Sequence, residues 1–236
     1  MDALTLLVRE LSSQFPSVPL NDLRRHCDHA VADFGDAVPA AAVPELLVRL
    51  VRLRLITELL GGDLDVAALL CSAASLSVLA RTVRAVTCHR LRCTGASLVL
   101  LDGDWCFHAD EDPVVPVWAG QRYPISECLS GWAILHNQPA LINEVDRDGR
   151  VPTSTYRPVD VRSMLAAPIP GHRTPAGAIS AYWPLVHQGA QANLGWLGRL
   201  AQACSGVITS IGLENAPWAP TFGNRSPPRK DMRNPL

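Results

Sequence analysis

Two cysteines and one histidine are the side chains of this sequence best suited to chemistry. Cys106 and His108 alternate along a predicted strand, so both point to one face of a sheet. Cys128 lies near the start of a predicted short helix, where the helix dipole lowers a thiol pKa and favours a redox sensor or a nucleophile. The alternative for each residue is structural, as a buried thiol or as a histidine held by hydrogen bonds.

A second group of residues could hold a ligand without reacting with it. Arg162, followed by Ser163 at the start of a predicted strand, offers a bidentate fork for a carboxylate or a phosphate. The competing interpretation is a salt bridge from Arg162 to Asp146 or Asp148, with the serine hydroxyl bonded to backbone. Four aromatic side chains could stack on a planar ligand or fill the core. These aromatic residues are Trp118, Trp132, Tyr156 and Trp183.

Composition limits the class of protein to which the chain can belong. Its 236 residues, of which 48% are hydrophobic and 18% charged, are enough to bury a core. The net charge of -1 provides no basic field for nucleic acid, and the N-terminus does not have the pattern of a secretion signal. The seven cysteines include no C-x-x-C pair and no zinc-ligand spacing, as expected in a reducing compartment. We therefore predict a cytoplasmic protein without a metal site and without direct contact with nucleic acid or a membrane.

Only short helices are predicted in the N-terminal quarter of the chain. Apolar residues at helical spacing predict three helices within residues 1–62, and the third of them is apolar on more than one face. Such a short segment makes a marginal core alone, so it must pack against a second copy or against the following domain. We therefore predict that residues 1–62 form a dimerisation segment.

The pattern of apolar residues and turn signals within residues 63–213 predicts an α+β domain with an antiparallel sheet. A helix from about Leu64 to Arg92 leads into a hairpin that turns at Asp102-Gly103. A short helix capped by Ser126 follows, and three later strands and a final helix complete the domain. The tail, residues 214–236, has no periodicity and is expected to be disordered.

Several short motifs resemble those of the GAF domains found ahead of bacterial histidine kinases. They are Ser130-Gly131-Trp132, Pro139-Ala140, Asp148-Gly149-Arg150, and Val161-Arg162-Ser163 running into Pro168. This resemblance covers about residues 72–212. It implies an antiparallel sheet with helices on one face and a ligand pocket on the other, with these motifs at the wall and lid of the pocket. The N-terminal helices resemble a three-helix dimerisation module of actinobacterial proteins.

The resemblance does not identify a cofactor. Cys88-His89 is similar to the dipeptide at which some related photoreceptors attach a linear tetrapyrrole, but it lies on the helix before the sheet. Haem ligation by His108 or His136 has no supporting local motif. The cofactor is therefore left unknown, and no residue is assigned a catalytic role.

These features predict a regulatory sensor and not an enzyme. Binding of an unknown small molecule, or oxidation, would shift helix packing in a homodimer and change its association with a separate output protein. One alternative is an interaction protein whose pocket is filled by side chains. Another is a small redox enzyme acting on free methionine sulfoxide, which needs two of Cys93, Cys106 and Cys128 within disulfide range.

Overall fold

A computed structural model describes residues 3–34, 43–110, 120–150, 152, 156, 161–186 and 191–212. Its helices are α1 (Ala3–Gln14), α2 (Leu20–Phe34), α3 (Val43–Leu59), α4 (Leu64–Cys71), α5 (Leu76–Leu91), α6 (Leu129–His136) and α7 (Gln191–Ser210). Its strands are β1 (Gly95–Asp102), β2 (Trp105–Asp110), β3 (Arg122–Pro124), β4 (Ala140–Ile142), β5 (Ser163–Ile169) and β6 (Gly177–Trp183). The tail that we expect to be disordered lies outside the described residues. Of the helices that the structure describes, none combines the length and the apolar character needed to cross a membrane.

The six strands form one antiparallel sheet in the order β3-β2-β1-β6-β5-β4. The hairpin between β1 and β2 turns where Asp102 pairs with Trp105, and Gly103 takes a φ of +61° that suits glycine. The predicted α+β fold and its hairpin are therefore confirmed. Strand β3 is not predicted by the sequence, because its three residues are too few to show alternation.

Alternation along the strands places two different layers on the two faces of the sheet. On one face, residues such as Leu98 and Ile179 share a large hydrophobic cluster with α5 and α7. On the other face, Val99, Met164 and Ala178 lie beneath α6 in two smaller clusters. The functional residues predicted on β2 lie on this second face, between the sheet and α6.

The three N-terminal helices pack against α7, the last helix of the domain. The ring of Phe15, directly after α1, lies against Gly206 so closely that a Cβ there would overlap it. Ser205 Oγ donates to the carbonyl of Gln14 at 3.2 Å, and the Arg52 guanidinium donates to the Gln14 side-chain oxygen at 2.9 and 3.1 Å. One continuous hydrophobic cluster therefore includes α1, α2, α3 and the helical face of the sheet.

The helix predicted from Leu64 to Arg92 is interrupted, so that prediction is wrong. The chain leaves α4 at Ser72, and Ser75 caps α5 by accepting a hydrogen bond from the backbone N–H of Val78 at 3.4 Å. The apolar residues keep helical spacing on both sides of the break, so periodicity alone does not reveal it.

Candidate functional site

A small cavity lies between the sheet and α6. Its volume is about 10 Å³, close to the minimum that one water molecule needs. Five strands and the N-terminal end of α6 contribute to its walls. The lining residues are Ser97, His108, Tyr123, Cys128, Ser130, Tyr156, Met164 and Tyr182. Three of the predicted site residues, His108, Cys128 and Tyr156, are therefore brought together around one cavity.

Strand β2 places two predicted residues on the cavity face of the sheet. Cys106 and His108 are buried, whereas the side chain of Trp105 is 45% exposed. The His108 ring packs edge-on against Tyr123 of the neighbouring strand, with 5.5 Å between ring centroids. Alternation along β2 predicts this arrangement correctly, since the two inward residues are two positions apart.

The N-terminus of α6 is held by two side-chain hydrogen bonds. Cys128 is the capping residue, and its Sγ accepts from the backbone N–H of Gly131 at 3.3 Å. Tyr156 Oη accepts from the backbone N–H of Leu129 at 2.8 Å. Ser126, which the sequence predicts as the cap, lies instead in a 3₁₀ turn over Ile125–Glu127. The first turn of α6 is therefore fixed by a thiol and a phenol, both of which line the cavity.

Cys106 and Cys128 lie in one buried cluster, and a hydrogen bond joins their thiols. The hydrogen bond from Cys106, with contributions from His108 and the Gly131 N–H, lowers the pKa of Cys128 to about 5, although burial opposes this change. The same hydrogen bond, together with burial, raises the pKa of Cys106. Burial and the negative charge on Cys128 also raise the pKa of Tyr156. The main cause of the acidic thiol is therefore the neighbouring cysteine, and the sequence identified only a helix terminus.

We predict that Cys128 remains a thiolate down to about pH 5. The thiolate absorbance that wild type shows in excess of a Cys128→Ser variant should be present at neutral pH and disappear as the pH falls through that value. Because the folded-state pKa is depressed, the stability that the thiolate contributes is lost progressively as the pH falls from the ordinary thiol pKa of about 8.5 to about 5. An excess absorbance that appears only above pH 8 would show an ordinary thiol.

Arg162 and Ser163 do not line the cavity. The Arg162 Nη2 atom lies 3.7 Å from Asp146 Oδ2, and Ser163 Oγ donates to the carbonyl of Leu185 at 2.7 Å. These are the contacts of the structural interpretation, a surface ion pair and a hydroxyl bonded to backbone.

The predicted tryptophans also lie away from the cavity or outside the described residues. Trp132, on α6, stacks on the His136 ring with 4.2 Å between ring centroids, and the Arg150 guanidinium carbon lies 5.2 Å from its ring centroid. Trp183 belongs to the large cluster on the helical face, and its Nε1 donates to the carbonyl of Arg92 at 3.2 Å. Trp118 lies outside the described residues. Neither Trp132 nor Trp183 is therefore among the residues that line the cavity.

The Asp148-Gly149-Arg150 motif closes the edge of the sheet next to β4. Arg150 donates to both carboxylate oxygens of Asp148 and to the backbone carbonyl of Leu141. The hydrogen bond from Arg150 lowers the pKa of the Asp148 carboxyl, so this pair stays charged at neutral pH. The motif thus anchors the loop that follows β4.

Five of the residues that line the cavity are not among the predicted ligand-binding residues, although one of them, Ser130, belongs to the Ser130-Gly131-Trp132 motif that the resemblance places at the pocket wall. They are Ser97, Tyr123, Ser130, Met164 and Tyr182. Ser97 lies opposite Ser180 on β6, and Ser180 Oγ lies 2.8 Å from Ser130 Oγ. One serine in each of two otherwise apolar predicted strands, Ser97 in GASLVLLD and Ser180 in GAISAYW, was the available signal for these buried hydroxyls.

Comparisons with known proteins identify the fold. The family model described as GAF domain matches residues 75–208, more than half of the chain. The chain is similar to the GAF domain of a phosphoenolpyruvate-protein phosphotransferase from Acinetobacter, at 18% identity over 69% of this chain and 93% of that one, with a TM-score of 0.53. It is also similar to the GAF domain of a phosphoenolpyruvate-protein phosphotransferase from Coxiella burnetii, at 16% identity over 67% of this chain and 95% of that one, with a TM-score of 0.56.

A third similar structure is an enzyme. It is the free methionine-R-sulfoxide reductase from Neisseria meningitidis in complex with its substrate, at 16% identity over 68% of this chain and 92% of that one, with a TM-score of 0.55. At such identities the similarity shows a shared fold and carries no information about ligand or activity. No curated protein matches the sequence significantly.

Proposed function

Because the chain belongs to the GAF domain family, we propose that it is a non-catalytic regulator that responds to oxidation of Cys128 and passes this change to a partner protein. The observation that carries this proposal is the contact between Cys106 and Cys128 at a cavity of about 10 Å³. Ligand pockets are usually larger by more than an order of magnitude. So small a cavity favours a chemical change of its own side chains over a bound small molecule as the signal.

The proposed reaction needs a hydroperoxide as the oxidant. The Cys128 thiolate attacks the peroxide, forms a sulfenic acid and releases hydroxide or alkoxide. The Cys106 thiol then displaces the hydroxyl group from the Cys128 sulfur, forming a disulfide and releasing water. Before the first step, a hydrogen bond and an electrostatic interaction with His108 help to lower the pKa of Cys128 and so favour its thiolate.

Oxidation at this place would alter the N-terminus of α6. The Cys128 sulfur accepts the Gly131 N–H and carries negative charge at the positive end of the helix dipole. A disulfide to Cys106 removes this charge and draws the sulfur toward β2. The cap is then weakened, and α6 can shift against the sheet, which is a small displacement of the kind that switches an interface.

We further propose that the regulator works as a homodimer that acts on a separate output protein. This proposal is supported by four leucines on α1, α2 and α4 that are each at least half exposed and could be covered by a second copy of the chain. They are Leu6, Leu20, Leu64 and Leu69. Native mass spectrometry of the full chain should show a dimer, and a monomer across the accessible concentration range would overturn this part of the proposal.

The redox input is tested by treating the reduced full-length protein with hydrogen peroxide and mapping its disulfides after tryptic digestion. In wild type we expect peptide 93–122, which contains Cys106, to become linked to peptide 123–147, which contains Cys128. The Cys106→Ser variant should stop at a sulfenic acid on Cys128, which dimedone traps, and the Cys128→Ser variant should form no link.

The matched control is Cys71→Ser, since Cys71 is half-buried and lies outside the cavity. This variant should form the link as wild type does. If the two peptides remain unlinked in folded wild type, or if Cys128 and Cys71 oxidise at equal rates, oxidation of Cys128 is not the input.

Reduction of free methionine sulfoxide is a second candidate function, favoured by the same contact between Cys106 and Cys128. The cavity argues against it, because a space of about 10 Å³ cannot hold an amino acid without rearrangement. Full-length protein supplied with methionine sulfoxide and dithiothreitol should produce no methionine beyond the reagent blank. Production that Cys128→Ser abolishes would make the protein an enzyme and overturn the regulatory proposal.

A further inference from the structure

A second pair of thiols lies on the helical side of the sheet, away from the cavity. The Sγ atoms of Cys88 and Cys93 are 3.6 Å apart. Cys88 is in the last turn of α5, which ends at Leu91, and Arg92 then takes a left-handed conformation with φ of 53°. This reversal folds Cys93 back onto the helix turn that carries Cys88.

The corner that holds this pair is fixed by hydrogen bonds to β6. Trp183 Nε1 donates to the carbonyl of Arg92 at 3.2 Å. On the other side of Cys93, the backbone N–H and the hydroxyl of Thr94 both donate to the carbonyl of Tyr182, at 3.0 and 2.9 Å. The residues on both sides of Cys93 are thus held in place by hydrogen bonds. The position of the Cys93 sulfur beside Cys88 is therefore fixed by the backbone of this turn.

A hydrogen bond links the two thiols, and both side chains are half-buried. Cys93 donates its S–H to Cys88, and this hydrogen bond together with burial raises the pKa of Cys93. In the reaction proposed below, Cys88, which accepts this hydrogen bond, is the attacking sulfur, and Cys93 keeps its proton until it resolves the intermediate. Both are half-buried, whereas Cys106 and Cys128 are buried, so this pair is reached more easily by reagents larger than a peroxide.

We propose that Cys88 and Cys93 form a second modification site, which becomes a reversible disulfide by exchange with a low-molecular-weight disulfide. Cys88 loses its proton and attacks one sulfur of the external disulfide, giving a mixed disulfide and releasing one thiolate, which takes up that proton. Cys93 then loses its proton and attacks the Cys88 sulfur, which releases the second thiol and closes the Cys88–Cys93 bond. Two protein thiols and one external disulfide thereby become one protein disulfide and two external thiols.

This site does not depend on the redox input proposed for the cavity. The disulfide would covalently link the last turn of α5 to the residues that precede β1. The required movement is small, because the sulfurs need to approach by about 1.5 Å to reach the length of a disulfide bond.

Glutathione disulfide added to the reduced full-length protein, followed by tryptic mapping without reductant, tests the proposal. Cleavage after Arg84, Arg90, Arg92 and Arg122 places Cys88 in peptide 85–90 and Cys93 in peptide 93–122. We use a Cys106→Ser background, so that Cys93 is the only cysteine of the second peptide. The two peptides should become linked, and dithiothreitol should separate them.

The order of attack is tested in the same background with Cys93→Ser. Glutathione bound to Cys88 should then rise about tenfold or more over the Cys93-containing protein, because the adjacent resolving thiol acts at a high effective concentration. Cys88→Ser should prevent the link and leave Cys93 with little glutathione. Cys71, also half-buried but beside Arg52 and not beside a thiol, is the internal control and should form no protein disulfide.

Two results would overturn the proposal. One is the absence of a link between the peptides in protein whose circular dichroism matches wild type. The other is an equal yield of glutathione on Cys88 whether or not Cys93 is present. A link that forms in both the Cys128→Ser and the Cys128-containing protein supports a site separate from the cavity, so this result does not depend on the regulatory proposal.

Discussion

Replacing Gly131 by alanine should destabilise the protein by about 3 kcal/mol, at the upper end of the cost of overpacking. Gly131 lies in the first turn of α6, where a Cβ would overlap the backbone carbonyl oxygen of Ile125. A backbone atom cannot rotate away as a side chain can, so α6 or the 3₁₀ turn before it must move. The same movement would disturb the hydrogen bond from Gly131 to Cys128. Urea unfolding followed by circular dichroism measures the loss.

Gly198→Ala is the matched control for this substitution. Gly198 lies in α7, and a Cβ there meets nothing within 4 Å. Alanine in a helix is preferred over glycine by about 0.5–1 kcal/mol, so this variant should be as stable as wild type or slightly more stable. If both alanine variants unfold at the urea concentration of wild type, α6 does not approach the 3₁₀ turn as closely as described.

Phe15→Ala should destabilise the protein by about 3–5 kcal/mol, the usual cost of removing a buried phenylalanine ring. The side chain of Phe15 is 1% exposed and packs against Gly206, so it joins the N-terminal helices to α7. Since these elements share one hydrophobic cluster, we expect a single unfolding transition at lower urea concentration. A separate early transition of the helical segment would show that the two parts fold independently.

Leu6→Ala, in the helix that directly precedes Phe15, is the control for Phe15→Ala. The Leu6 side chain is 50% exposed on α1, and such surface substitutions usually change the free energy of unfolding by less than about 0.5 kcal/mol. A similar loss in both variants would mean that helix propensity in α1, and not the contact of Phe15 with α7, sets the stability of this region.

Much of the local structure follows from the spacing of apolar residues. The alternation around Asp102-Gly103 predicts the hairpin, and the same period of two puts Cys106 and His108 on one face. The final helix is predicted because its apolar stripe is long and regular. These features depend on residues close together in sequence, so periodicity is enough to predict them.

Other features depend on residues that are distant in sequence. Cys106 and Cys128 meet because α6 crosses β2, and the acidity of Cys128 arises mainly from that contact. No spacing rule identifies which strand lies beneath a helix. The sequence therefore predicted the low pKa of Cys128 from the helix dipole alone, whereas the hydrogen bond from Cys106 is its largest cause. The small volume of the cavity likewise depends on how closely Tyr156 and Tyr182 fill it.

The sequence by itself determined the α+β class, the resemblance to GAF domains and the set of residues that could react. Only the tertiary structure decided that Cys128 faces Cys106, that Cys88 faces Cys93, and that the N-terminal helices pack on α7. The physical reason is that local backbone preference and apolar periodicity act over a few residues, whereas a thiol pair, a cavity and a shared core are properties of elements that the fold brings together.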